Sequence, residues 1–188
     1  MMSKQLVGGL LIILFAAAYP LSLAQGEEAT IEGLHIARGK GNLSISFSVK
    51  NCFNQKMEEA IKAGIPTTFK FFVKLHKNRL IKDKKIAAHR FRHKIIYDTL
   101  KDTFRIWLEE QDKEIQVQDL QEAKRYMQGV EVFPVIRGRE LEKGTYELAI
   151  KAELDPVKLP LSLECILFFV SLWDFETDWY HHTVRVEP

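Results

Sequence analysis

The sequence predicts a mainly β protein, an antiparallel β-sandwich of immunoglobulin-like type with two short helices. Three observations predict it. Apolar and polar residues alternate with period two in several runs, turn-forming residues separate those runs, and no regular strand–helix–strand alternation argues for a parallel sheet.

The elements follow in order. Leu43, Ile45, Phe47 and Val49 alternate with Ser44, Ser46, Ser48 and Lys50, the pattern of a strand with one buried and one wet face. Gly39-Lys40-Gly41-Asn42 before it is turn chemistry, so Thr30 to Arg38 pairs with it as a hairpin. Asn54 caps a short helix running to Ala63, and Gly64 with Ile65-Pro66 stops it. From Thr67 alternation returns: Phe69, Phe71, Val73 and Leu75 point one way, Lys70, Phe72, Lys74 and His76 the other. Ile86 to Tyr97 is the neighbouring strand, and Phe104, Ile106 and Leu108 mark another through Thr103 to Glu109. Asp119 and Glu122 form a capping-box pattern that opens a second helix, ended near Met127 by Gly129. Val130 to Val135, Thr145 to Leu154 and Trp179 to Glu187 complete the strands, about eight in all. Leu161 to Val170 is apolar on all sides, and periodicity leaves strand and helix both open there.

The first 24 residues read as a secretory signal peptide. Lys4 lies in a short leading region, an apolar run spans Leu6 to Ala18, Pro20 breaks it, and Ser22 and Ala24 are small residues at the −3 and −1 positions. Cleavage is expected between Ala24 and Gln25, leaving residues 25–188 as one exported, periplasmic domain. The alternative is an uncleaved anchor, against which the run is shorter than the ~20 residues a spanning helix needs. No Cys follows the cleavage site, so a lipid-anchored form is not expected. The apolar stretch Ile166 to Val170 is too short for a second span, so no transmembrane span is expected after cleavage. Export permits oxidation of the two cysteines, Cys52 and Cys165; a bridge and two buried thiols both remain open.

Six segments stand out in order along the chain: Ala63-Gly64-Ile65-Pro66-Thr67-Thr68-Phe69-Lys70-Phe71, Tyr97-Asp98-Thr99-Leu100, Glu122-Ala123, Leu154-Asp155, Leu159-Pro160-Leu161 and Thr177-Asp178-Trp179-Tyr180. Together they resemble the bacterial domain-of-unknown-function family 4390. The resemblance spans essentially the whole chain after the signal peptide. Thr177 stands where a smaller residue such as Ser is expected before the Asp-Trp pair. The resemblance implies an exported all-β domain of proteobacterial type. It brings no activity, and hence no functional residues to transfer.

Charge is the strongest local anomaly. The 188-residue chain has 27 Lys and Arg against 25 Asp and Glu, yet nine of the bases fall between positions 74 and 94 with Asp83 as the single acid. They are Lys74, Lys77, Arg79, Lys82, Lys84, Lys85, Arg90, Arg92 and Lys94, accompanied by three His. The remainder holds 18 bases and 24 acids, so a basic hairpin sits on an acidic body. Such a block attracts carboxylates and phosphates, and in an exported protein this points to an unknown envelope protein or anionic envelope component rather than nucleic acid. The plainer reading is a solvated strand pair whose lysines discourage edge-to-edge aggregation.

Other motifs carry less. His89 and His93 sit four apart, which on a strand separates them by about 13 Å, too far to share an ion. His181 and His182 point to opposite faces of a strand. Asp174, Glu176 and Asp178 share a face if extended, about 7 Å apart, within the broad range of glycosidase carboxylate pairs, though acids at a loop-to-strand entry are usually just solvated. No Gly-x-Ser-x-Gly elbow is present, neither Cys has a recognised catalytic context, and Gly39-Lys40-Gly41 lacks the remainder of a phosphate loop. The expected function is therefore non-catalytic binding, with no cofactor and no metal. Binding of a small apolar ligand between the sheets, among Phe71, Phe104, Phe168, Trp173 and Trp179, is the alternative, and an enzyme the last.

Overall fold

Alternation of buried and exposed side chains builds two antiparallel sheets in the computed structural model, which describes residues 28–155 and 175–187. Among these residues the order is β1 (Thr30–Gly39), β2 (Asn42–Lys50), α1 (Gln55–Lys62), β3 (Thr67–Lys77), β4 (Lys84–Asp98), β5 (Thr103–Leu108), β6 (Lys113–Val117), α2 (Leu120–Gln128), β7 (Gly129–Ile136), β8 (Gly144–Leu154) and β9 (Tyr180–Val186). One sheet has the order β1-β2-β7 and the other β6-β5-β4-β3-β8-β9. Three strands therefore face six, whereas a constant-type immunoglobulin domain sets four against three. The likeness is one of layered architecture.

The inner faces are the ones the alternation marked. Leu43, Ile45, Phe47 and Val49 of β2 and Phe69, Phe71, Val73 and Leu75 of β3 are all buried. Each is worth about 1.5–3 kcal/mol relative to exposure. Aromatic pairs join the sheets: Phe47 meets Phe71 edge-on at 6.0 Å, and Phe91 stacks on Phe133 at 4.5 Å. Both helices close the same core. Met57 and Ile61 of α1 and Ala123 and Met127 of α2 are fully buried, and α2 lies against β4 and β5. Their caps are the expected ones. Asn54 Oδ1 accepts from the Met57 N–H at 2.9 Å, and Asp119 Oδ2 accepts from the Glu122 N–H at 2.7 Å.

Gly129 ends α2 without a left-handed cap. Its φ of −94° and ψ of 134° turn the helix directly into β7, and an added Cβ would lie 3.0 Å from the Arg125 carbonyl oxygen. The tight β1–β2 turn does need a positive φ, supplied by Gly41 at +72°.

Strand β6 was not predicted. Only Ile115 and Val117 in it are even partly buried, so five residues carry too short an alternation to stand out. A 3-10 turn at Glu109–Gln111 and a left-handed Asp112 lead into it.

The chain leaves β8 at Asp155 and is back beside it at Phe175, where the Leu154 N–H donates to the Phe175 carbonyl at 3.0 Å. The signal-peptide expectation and those for Leu161–Val170, Cys165, Phe168, Trp173 and Asp174 fall outside the described residues. No helix among the described residues is long and apolar enough to cross a membrane.

Candidate binding surface

The basic hairpin is β3 with β4, and it lies at the centre of the six-stranded sheet. Strand β3 is hydrogen-bonded on both sides, to β4 and β8, whereas β4 pairs with β5 only from His93 to Asp98, so Lys84 to Arg92 has no strand on its second side among the described residues. That stretch is an edge, the setting in which lysines discourage edge-to-edge pairing.

Strand geometry divides the nine cations. Positions 70, 72, 74 and 76 of β3 and 90, 92 and 94 of β4 face away from the core, since their neighbours Phe71, Val73, Phe91 and His93 are buried. Lys74, Arg90, Arg92 and Lys94 thus share the outer face of the sheet. Lys77, Arg79, Lys82, Lys84 and Lys85 gather instead at the β3–β4 tip. An irregularity in pairing between Leu75 and His76 sets Lys85 opposite His76 and Lys84 opposite Lys77. The basic block is therefore two surfaces, not the single surface that the sequence implied.

On the outer face, register builds a mixed aromatic and cationic strip. Phe72 stands between Arg90 on one side and Lys151 on the other. Trp179 lies 6.4 Å from Phe72, and the Lys74 ammonium sits 3.9 Å from its ring centre, a cation–π distance. Trp179 was expected between the sheets with the other aromatics. It is on the outside, half-buried, because it precedes β9 and its ring is drawn onto Phe72 and Lys74. Phe71 and Phe104 are indeed core. Further along, Lys94 faces Trp107 across the β4–β5 pairing, and with Ile96, Arg105 and Glu114 they line a cleft of about 240 Å³.

Several cations on this face are already paired. Arg92 grips Glu109 with two hydrogen bonds of 3.1 and 3.2 Å; that hydrogen bonding holds the Glu109 carboxyl below its ordinary range and raises the Arg92 guanidinium. Lys70 meets Asp155 at 2.6 Å, and Lys151 pairs with Glu176. Among the described residues, no ion pair is formed by Lys74, Arg90, Lys94 or Arg105. Four cations without a carboxylate partner thus share this face with three exposed or half-exposed aromatics. Arg105, Trp107, Lys151 and Phe72 were not singled out from sequence, although Phe72 alternates visibly with Lys70 and Lys74.

The remaining candidates are placed apart. His89 and His93 lie on β4 as a strand requires; His89 Nε2 donates to the Val135 carbonyl at 2.8 Å, while His93 meets Glu110. Among the described residues no group of three or more His, Cys, Asp and Glu is arranged to hold a metal ion. His181 contacts Glu147 at 2.8 Å, with His182 on the opposite side of β9. Glu176 is taken up by Lys151, and Asp178 is exposed. Cys52 is buried, its thiol donating to the Val49 carbonyl at 3.4 Å, and burial pushes it from 9.0 to about 12.

Neither the curated proteins nor the solved structures contain a match to this chain. A family model described as "Domain of unknown function (DUF4390)" matches residues 26–183, which takes in the whole outer face and every strand but the last three residues of β9, and the chain belongs to that family.

Proposed function

We propose that this chain is an exported, non-catalytic binding domain of the cell envelope that takes an anionic partner, protein or envelope polymer, across the outer face of its six-stranded sheet. One observation carries the reading: Lys74, Arg90, Lys94 and Arg105 have no carboxylate partner among the described residues and stand beside Phe72, Trp107 and Trp179. Cations held on a rigid sheet beside aromatic rings bind carboxylate or phosphate while the rings cover the apolar parts of the same ligand. Export rests on the N-terminal pattern of Lys4, the Leu6–Ala18 run and Ala24.

The test is a titration with polyglutamate and with a phosphate-bearing polysaccharide, read by tryptophan fluorescence at low and high salt. Binding weakens with salt, as exposed charges are screened. The triple variant Lys74→Glu, Arg90→Glu, Lys94→Glu loses at least tenfold in affinity, whichever polymer binds. Equal affinity of that variant would reject the outer face as the binding surface.

A further inference from the structure

The second basic group sits at one end of the sandwich, where the topology collects four chain segments. The β1–β2 turn, the β3–β4 tip, the β7–β8 connection and the end of β9 all lie there. Arg139 N–H donates to the Gly41 carbonyl at 2.9 Å, Asn78 N–H to the Thr145 carbonyl at 2.9 Å, and Lys77 pairs with Glu142 at 2.8 Å. Residues 38–42, 77–85, 137–143 and 185–187 hold eleven Lys and Arg but four Asp and Glu. Glu142 is consumed within the cluster, held below its ordinary range by the Lys77 hydrogen bond and by the charges of Lys77, Lys84 and Arg79.

Two large aliphatic side chains crown this end. Leu80 and Ile81, adjacent at the β3–β4 tip, are 107% and 99% exposed. They make no contribution to the core. Neighbouring Arg79, Lys82, Lys84 and Lys85 are exposed as well. The tip is held in shape from below, by the Arg79 N–H donating to Asp83 Oδ1 at 3.1 Å and by the pairing of Lys77 with Lys84.

We infer that this end docks on an anionic phospholipid bilayer, with Leu80 and Ile81 entering the headgroup–acyl boundary and the surrounding cations contacting lipid phosphates. The geometry fits a bilayer because two fully exposed aliphatic side chains stand mid-loop between β3 and β4, with a collar of exposed cations on either side of them. Apolar burial and attraction to anionic headgroups then act in the same orientation. An acidic protein would satisfy the collar but leaves two adjacent aliphatics without a reason to lead. The first described strand, β1, starts at the opposite end of the sheet, where Thr30 faces Lys50. The tip is also distinct from the outer face, so either proposal survives failure of the other.

Flotation with phospholipid vesicles tests the inference. The chain as recovered after expression, its N-terminus read by mass spectrometry, is mixed with vesicles of phosphatidylethanolamine and phosphatidylglycerol or of phosphatidylcholine alone. Three variants are compared on the same background: Leu80→Ser with Ile81→Ser, Lys82→Glu with Lys84→Glu and Lys85→Glu, and Lys56→Glu with Lys62→Glu on the exposed side of α1, away from both basic surfaces. Both tip variants lower the partition onto phosphatidylglycerol vesicles at least tenfold, and the α1 variant leaves it within twofold. Leu80→Trp adds a fluorophore whose emission shifts to the blue with phosphatidylglycerol vesicles. Partition unchanged by Leu80→Ser with Ile81→Ser would overturn the inference, as would tip-dependent binding of polyglutamate without any gain on anionic vesicles. Circular dichroism of each variant establishes that a loss is not unfolding.

Discussion

His93 Nε2 and Glu110 Oε2 meet at 3.1 Å with side chains 0% and 2% exposed. The other ring nitrogen, Nδ1, lies 3.0 Å from the Met127 carbonyl, which only accepts, so Nδ1 carries a proton. The pair ties β4 to the turn after β5 and to the end of α2. Removing one partner strands the other in the core, so His93→Ala or Glu110→Ala costs about 3–5 kcal/mol, measured by urea denaturation. Replacement of both by apolar residues of similar volume recovers most of that loss.

Cys52 gives a pH dependence with a defined sign. Its thiol is raised from 9.0 to about 12 by burial, so the folded state binds the proton more tightly than the unfolded chain. The contribution is complete below pH 9 and is lost as pH rises toward 12, with a slope of up to about 1.4 kcal/mol per pH unit. Cys52→Ala flattens that limb relative to the unsubstituted protein. The native thiol at position 52 also resists alkylation at pH 8 and reacts once urea is added, which peptide mass spectrometry reads directly.

Val132 has a φ of +45° and is 70% exposed, in a break of the β2–β7 register where its N–H donates to Ser46 Oγ at 3.0 Å. A β-branched residue in that region is strained, by about 1–2 kcal/mol. Val132→Gly, or Val132→Asn, therefore raises stability by about 1 kcal/mol. A fall in the denaturation midpoint would show that the valine side chain has a compensating contact.

Glu109 competes for a cation of the proposed surface. Its bond to Arg92 is exposed, so Glu109→Gln costs under about 1 kcal/mol of stability. Released, Arg92 joins the row with Arg90 and Lys94. Affinity for the anionic polymer is then two- to fivefold higher in Glu109→Gln, measured by the same fluorescence titration.

Most of the strands were legible because each buries one face, so period two is written directly into Leu43 to Val49 and Phe69 to Leu75. The helices were legible through their caps at Asn54 and Asp119. What stayed hidden depends on pairing between distant strands. Trp179 beside Lys74, and Trp107 opposite Lys94, require a register that no local pattern encodes. The same limit made one basic run look like one surface, since alternation and the irregularity after Leu75 distribute its members between the sheet face and the tip.

The indole N–H signals of a nitrogen-15 labelled sample report whether an anionic partner lies on the outer face. The chain has three Trp, and two of them, Trp107 and Trp179, stand on that face. Titration with the bound polymer shifts the signals of Trp107 and Trp179, and the shifts vanish in the Lys74→Glu, Arg90→Glu, Lys94→Glu variant. Binding that leaves both signals unmoved would place the partner away from the outer face.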